Sequence, residues 1–266
     1  MDTALNVRTI QLSSRERLLL LLPLAGSAFV GLFLLLLPNV LAALTGYSGN
    51  DLYIYRLTGA ATFGYPIALA LALLQGSWAS LRLVVVAFFT FGLGSLYACV
   101  ADIVVGNVHP VVYVVLILTL VFVAITGMIL YMHRGEAQQI ANVARWLVAV
   151  LAIATLSALF FGVVPLLLPT QFGQVFGFTG KDVFIFRQAG AATLGYGVMG
   201  ILELRSRNWS EVRWPAVMAA VFNGLAFVVS VIALATGDRS LLAYLALPVS
   251  FGVTVATVVA LRRGGK

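Results

Sequence analysis

Apolar residues arrive in this chain as runs of about twenty, broken by short polar stretches. Eight runs stand out, over residues 18–37, 53–74, 83–105, 111–132, 146–168, 183–202, 214–235 and 241–261. A helix of that length crosses a hydrocarbon core about 30 Å thick. The pattern predicts an all-α integral membrane protein with eight transmembrane helices. The first run follows Arg8, Arg15 and Arg17 and so has the outline of a secretory signal. It is longer than the apolar core of such a signal, about 7–15 residues. Its counterpart at 146–168 lies mid-chain, so 18–37 is read as a first span. Pro66 falls inside the second run and predicts a kink there.

The runs are not independent. GNDLYIYRLTGAATFGY at 49–65 returns as GKDVFIFRQAGAATLGY at 180–196, with Asp51, Arg56, Gly59, Ala60, Ala61, Thr62, Gly64 and Tyr65 all recurring at an offset of 131. Pro38, Gly46, Trp78, Arg82, Gly106 and Tyr113 recur at the same offset, without a gap. A shared apolar composition would not place Asp, Arg, Trp and Tyr in one register. Each unit holds four runs, an even number, so both units have the same orientation. That predicts a parallel repeat about an axis along the membrane normal. The expected organisation is an N-terminal segment at 1–17, a four-helix repeat at 18–134, a link at 135–145 and a second four-helix repeat at 146–266.

Composition agrees: 62% of the residues are hydrophobic and 9% charged, against about 25% charged in a soluble domain. The net charge of +7 comes mostly from single arginines between apolar runs, an arrangement that sets topology and argues against nucleic acid as a partner. Arg8, Arg15, Arg17, Arg82, Arg134, Arg145, Arg205, Arg207, Arg213, Arg262, Arg263 and Lys266 share one side, whereas Lys181 and Arg239 hold the other. Twelve against two places both termini and the link in the cytoplasm, in a cell inner (plasma) membrane. On this topology Trp78 and Trp209 anchor the cytoplasmic interface. Tyr47, Tyr53 and Tyr55, with Phe178, Phe184 and Phe186, form the opposite aromatic belt.

Two basic residues stand apart. Arg56 and Arg187 fall near the outer starts of the second and sixth runs, at membrane depth, where a charge is costly and marks a candidate site. Arg56, Ala60 and Gly64 share one helical face, as do Arg187, Ala191 and Gly195. The small-residue spacing allows close helix approach. An arginine near a helix N-terminus opposes the dipole and calls for an anion. Asp51 and Asp182 are the candidate ion-pair partners, and a bound carboxylate or phosphate is the other solution. Thr62, Thr193, Tyr65 and Tyr196 lie deeper and are candidate ligand-binding residues; hydrogen bonding between helices explains them equally well. The stretches 39–50 and 170–181 read as short interfacial segments. Asn223, where the first unit has Gly92, reads as an interhelical hydrogen bond, with a pocket role as the alternative.

Other chemistry lacks its parts. Cys99 is the single cysteine, and His109 and His133 lie at opposite membrane edges, so neither a metal cluster nor a bis-histidine haem is expected. No phosphate-binding glycine loop or hydrolase motif occurs. No cofactor and no catalytic residue is expected.

Pro38…Gly46…Arg56-Leu57-Thr58-Gly59-Ala60…Gly64, repeated as Pro169…Gly177…Arg187-Gln188-Ala189-Gly190-Ala191…Gly195, resembles the small four-span bacterial membrane families of the DoxX-like and DUF4345 type. The resemblance implies a tandem fusion of one such module and no particular activity. The expected function is binding, and potentially translocation, of a small anionic or amphipathic molecule near the two arginines. The alternative is a non-catalytic accessory subunit of a larger membrane complex. Expected partners are membrane lipid, that ligand and a membrane-protein neighbour.

Overall fold

In a hydrocarbon medium, a helix satisfies the backbone polar groups of an apolar run from within. A computed structural model describes residues 11–106, 109–134, 143–206 and 208–264. Among the described residues there are ten helices and no strand. They are α1 (Ser14–Leu36), α2 (Pro38–Thr45), α3 (Leu52–Gln75), α4 (Trp78–Val105), α5 (Pro110–Met132), α6 (Arg145–Leu167), α7 (Pro169–Phe176), α8 (Val183–Ser206), α9 (Trp209–Ala235) and α10 (Leu241–Arg263). The starts of α6 to α10 each lie 131 residues after those of α1 to α5, as Ser14 and Arg145 or Leu52 and Val183 illustrate. Arg8, Arg207, Lys266 and most of the expected N-terminal segment and link lie outside the described residues.

Local chemistry sets the helix ends. Ser13 and Glu16 form a reciprocal capping box before α1, with the Ser13 N–H donating to Glu16 Oε2 at 2.7 Å. Prolines open α2, α5 and α7, where the missing N–H costs nothing. Gly46, Gly76, Gly106 and Gly177 close α2, α3, α4 and α7 in the left-handed conformation. The stretches read as interfacial segments therefore hold the short helices α2 and α7. Pro66 sits inside α3.

Among the described residues, seven of the long helices are apolar enough to cross a membrane; α8 is not among them. It carries Arg187, Gln188, Glu203, Arg205 and four glycines. A helix packed on several sides by other helices faces little lipid, so small and polar residues are tolerated there. α8 fits that description, packing on α6, α4 and α3.

Equivalent pairs pack alike. α1 lies on α3 as α6 lies on α8, and α5 lies on α4 as α10 lies on α9. Within each half, however, the two pairs touch lightly. The firm contacts run between halves, α3 on α9 and α4 on α8. The halves thus interlock rather than stand as two self-contained bundles. Glycines permit the tight pairs: a Cβ on Gly59 would lie 2.5 Å from the Leu35 nitrogen, and one on Gly190 2.6 Å from the Leu166 nitrogen.

The interlock also moves the aromatic residues inside. Tyr53, Tyr55, Phe178, Phe184 and Phe186 are buried in one core cluster, not arrayed as a lipid-facing belt, because the two halves present them to each other. Trp78 is buried too, stacked on His133 with centroids 4.6 Å apart. Asn223 donates its amide to Ala219 O in its own helix at 2.9 Å, so its bond is not interhelical.

Candidate functional site

Asp51 and Asp182 precede α3 and α8, where an aspartate ordinarily caps its own helix. Here each carboxylate crosses to the other half. Asp51 accepts from the Thr179 N–H at 2.9 Å, the Thr179 hydroxyl at 2.7 Å and the Gly180 N–H at 3.1 Å. Asp182 accepts from the Ser48 N–H at 2.8 Å, the Gly49 N–H at 2.9 Å and the Tyr55 hydroxyl at 2.7 Å. Gly49 and Gly180 sit at φ 64° and 65°, a conformation that glycine adopts freely.

These aspartates are therefore not the partners of the two arginines. Arg187 pairs with Asp102 of α4, and its Nε is buried without a hydrogen bond. The offset of 131 places Ala233 opposite Asp102, so the pair has no twin in the other half. Arg56 is half-buried and makes no hydrogen bond or ion pair with another described residue. Beside Arg187, Gln188 accepts from the Ser95 hydroxyl at 2.9 Å, while its amide nitrogen is buried without a partner.

Deeper in, the tyrosines cross between halves. The Tyr65 hydroxyl donates to Ala192 O at 2.5 Å and the Tyr196 hydroxyl to Ala61 O at 2.8 Å. The two rings meet edge to face at 5.1 Å. Gly64 and Gly195 make room, since a Cβ there would lie 2.1 and 2.0 Å from the opposing tyrosine oxygen. Thr62 is buried, and Thr193 donates to Ala189 O of its own helix at 2.8 Å. The expected site residues thus divide into two layers, with the aspartates in the loops before α3 and α8 and the tyrosines at the helix crossing. They do not converge on one ligand-sized space.

Such a space lies elsewhere. Between the lightly touching pairs α6–α8 and α9–α10 is a cavity of about 350 Å³. Its wall is mainly apolar and includes Thr193 and Tyr196, with Ile54 and Leu57 contributed by α3. Neither arginine lines it. The α8 wall runs from Ala189 to Glu203, about 21 Å at 1.5 Å per residue, so the space is long and narrow.

Comparing the halves explains the cavity. Gly200, Ala219 and Val253 line it where the first half carries Leu69, Phe88 and Phe122. Leu69 and Phe88 are core residues there, and Phe122 reaches α1, with its Cζ 2.5 Å from where a Gly26 Cβ would sit. Loss of these large side chains leaves the second half hollow. Comparison with family models, with curated proteins and with solved structures returned no match.

Proposed function

We propose that this chain is a multi-pass protein of eight transmembrane helices, arranged as two parallel four-helix repeats, that binds a small amphipathic molecule inside the second repeat. The reading takes α8 as the eighth span, held away from lipid by its neighbours. The basic asymmetry supports cytoplasmic termini and an inner-membrane location. One observation carries the binding role: the 350 Å³ apolar space opened by the exchange of Leu69, Phe88 and Phe122 for Gly200, Ala219 and Val253. Ligand sites commonly enclose about 300–1,000 Å³, apolar with a few placed polar groups. Empty space costs stability in proportion to its volume, which an occupant would recover. Arg187 is already neutralised by Asp102, and Arg56 stands outside the cavity wall. The amphipathic half of the expectation is therefore favoured over the anionic half.

The test is thermal unfolding of the purified protein in a neutral detergent with increasing decanol. Saturable stabilisation is expected, of about 2.7 kcal/mol at a concentration one hundred times Kd. Ala219→Phe and Val253→Phe each restore a first-half side chain and should abolish it. Equal response in parent and both variants would refute the cavity as a binding site.

A further inference from the structure

Six acids are buried among the described residues, namely Glu16, Asp51, Asp102, Asp182, Glu203 and Glu211. Five are partnered. Glu16 meets Ser13 and His133, Asp102 meets Arg187, Glu211 meets Arg82, and the two aspartates hold the opposing loops. Glu203 has no hydrogen-bond or ion-pair partner among the described residues. It is 4% exposed, its Oε1 is buried without a bond, and it forms part of the cavity wall. The first half has Ala72 at this place, so the acid belongs to the hollow half alone.

We infer that Glu203 is the head-group anchor of the cavity, and that its ligand is a single-chain amphipath with a protonated amine head. This rests on the binding role proposed above. An isolated carboxylate in an apolar surround is expensive unless a counter-charge or hydrogen-bond donor reaches it. Glu203 lies in the last turn of α8, whose C-terminal dipole end is negative and favours a cation over an anion. The neighbouring cation Arg205 is exposed and stands two residues on, about 200° around the helix. Among the described residues, no arginine or lysine lines the cavity.

Shape and access agree with that ligand. A long, narrow apolar slot ending at one carboxylate matches one alkyl chain with one head. The wall includes Ile153 of α6 and Leu245 and Val249 of α10, which are 63%, 46% and 48% exposed. α6 and α10 touch only lightly. The slot therefore opens sideways between them, on the face turned to lipid, and an amphipath dissolved in the bilayer enters from there.

Calorimetric titration in a neutral detergent compares decylamine, decanol and decanoate, which share a tail and differ in head. The parent should bind decylamine at least about tenfold more tightly than decanol, a difference of about 1.4 kcal/mol, and decanoate weakest. Glu203→Gln keeps the shape and removes the charge, and should bring decylamine level with decanol. Decylamine and decanol binding equally to the parent, both lost in Ala219→Phe, would overturn the anchor while leaving the cavity role standing. Binding of all three unchanged in Ala219→Phe would overturn both. The head-group ranking in the parent decides the anchor even if Glu203→Gln fails to fold.

Discussion

Tyr65 and Tyr196 exchange hydroxyl bonds across the middle of the molecule, each donating to a backbone carbonyl of the helix that carries the other. Each hydroxyl occupies the space left by a glycine, Gly195 for Tyr65 and Gly64 for Tyr196. The exchange joins halves whose own helix pairs touch lightly. Stability of the whole is therefore expected to depend on contacts between the two halves.

Gly195→Ala places a methyl group 2.0 Å from the Tyr65 oxygen and should destabilise by about 1–3 kcal/mol, the usual range for overpacking. Adding Tyr65→Phe removes that oxygen and should recover part of the loss. Gly252→Ala, which meets nothing within 4 Å, should be near neutral. Thermal unfolding in detergent reads all four proteins.

Asp182→Asn weakens three charge-assisted bonds to the loop at 48–49 and to Tyr55. A hydrogen bond to a charged group contributes about 1.5–3 kcal/mol. The variant should unfold well below the parent, and Asp51→Asn should behave alike. If both variants unfold with the parent, the crossing aspartates do not hold the halves together.

Asp102→Ala leaves the half-buried Arg187 without its partner and should cost up to about 3–5 kcal/mol. Asp102→Leu with Arg187→Leu should recover most of that, because no unpaired charge remains. Arg56→Leu should be milder than Asp102→Ala, since Arg56 has no described partner to strand.

Much of this was legible in the offset of 131, which recurs in the starts of all ten helices. The Asp102–Arg187 pair was not, because Ala233 replaces its twin, and reasoning from what repeats overlooks what does not. The roles of Asp51 and Asp182 were hidden for another reason. Their bonds go mainly to backbone N–H groups in the opposite half, which no side-chain pattern announces. Aromatic residues at 53, 55, 184 and 186 read as a belt because sequence gives depth but not facing. The cavity left a faint signal in Leu69 against Gly200, Phe88 against Ala219 and Ala72 against Glu203. Those differences acquire meaning once the helices they sit on are known to face one space.

The proposed topology rests on the basic residues and is checked by single cysteines. Cys99 is buried and should give little background with a membrane-impermeant maleimide. Lys181→Cys and Arg239→Cys should label in intact cells, and Arg134→Cys after the membrane is opened. Labelling of Arg134→Cys in intact cells would reverse the proposed orientation.

The binding role is tested most directly by native mass spectrometry of the protein purified from its own membrane in a neutral detergent. The parent should carry a small bound molecule that survives detergent removal, and Ala219→Phe and Val253→Phe should lose it while remaining folded. A parent free of any such adduct, or variants that retain the same one, would contradict the proposal that the hollow second repeat is a ligand site.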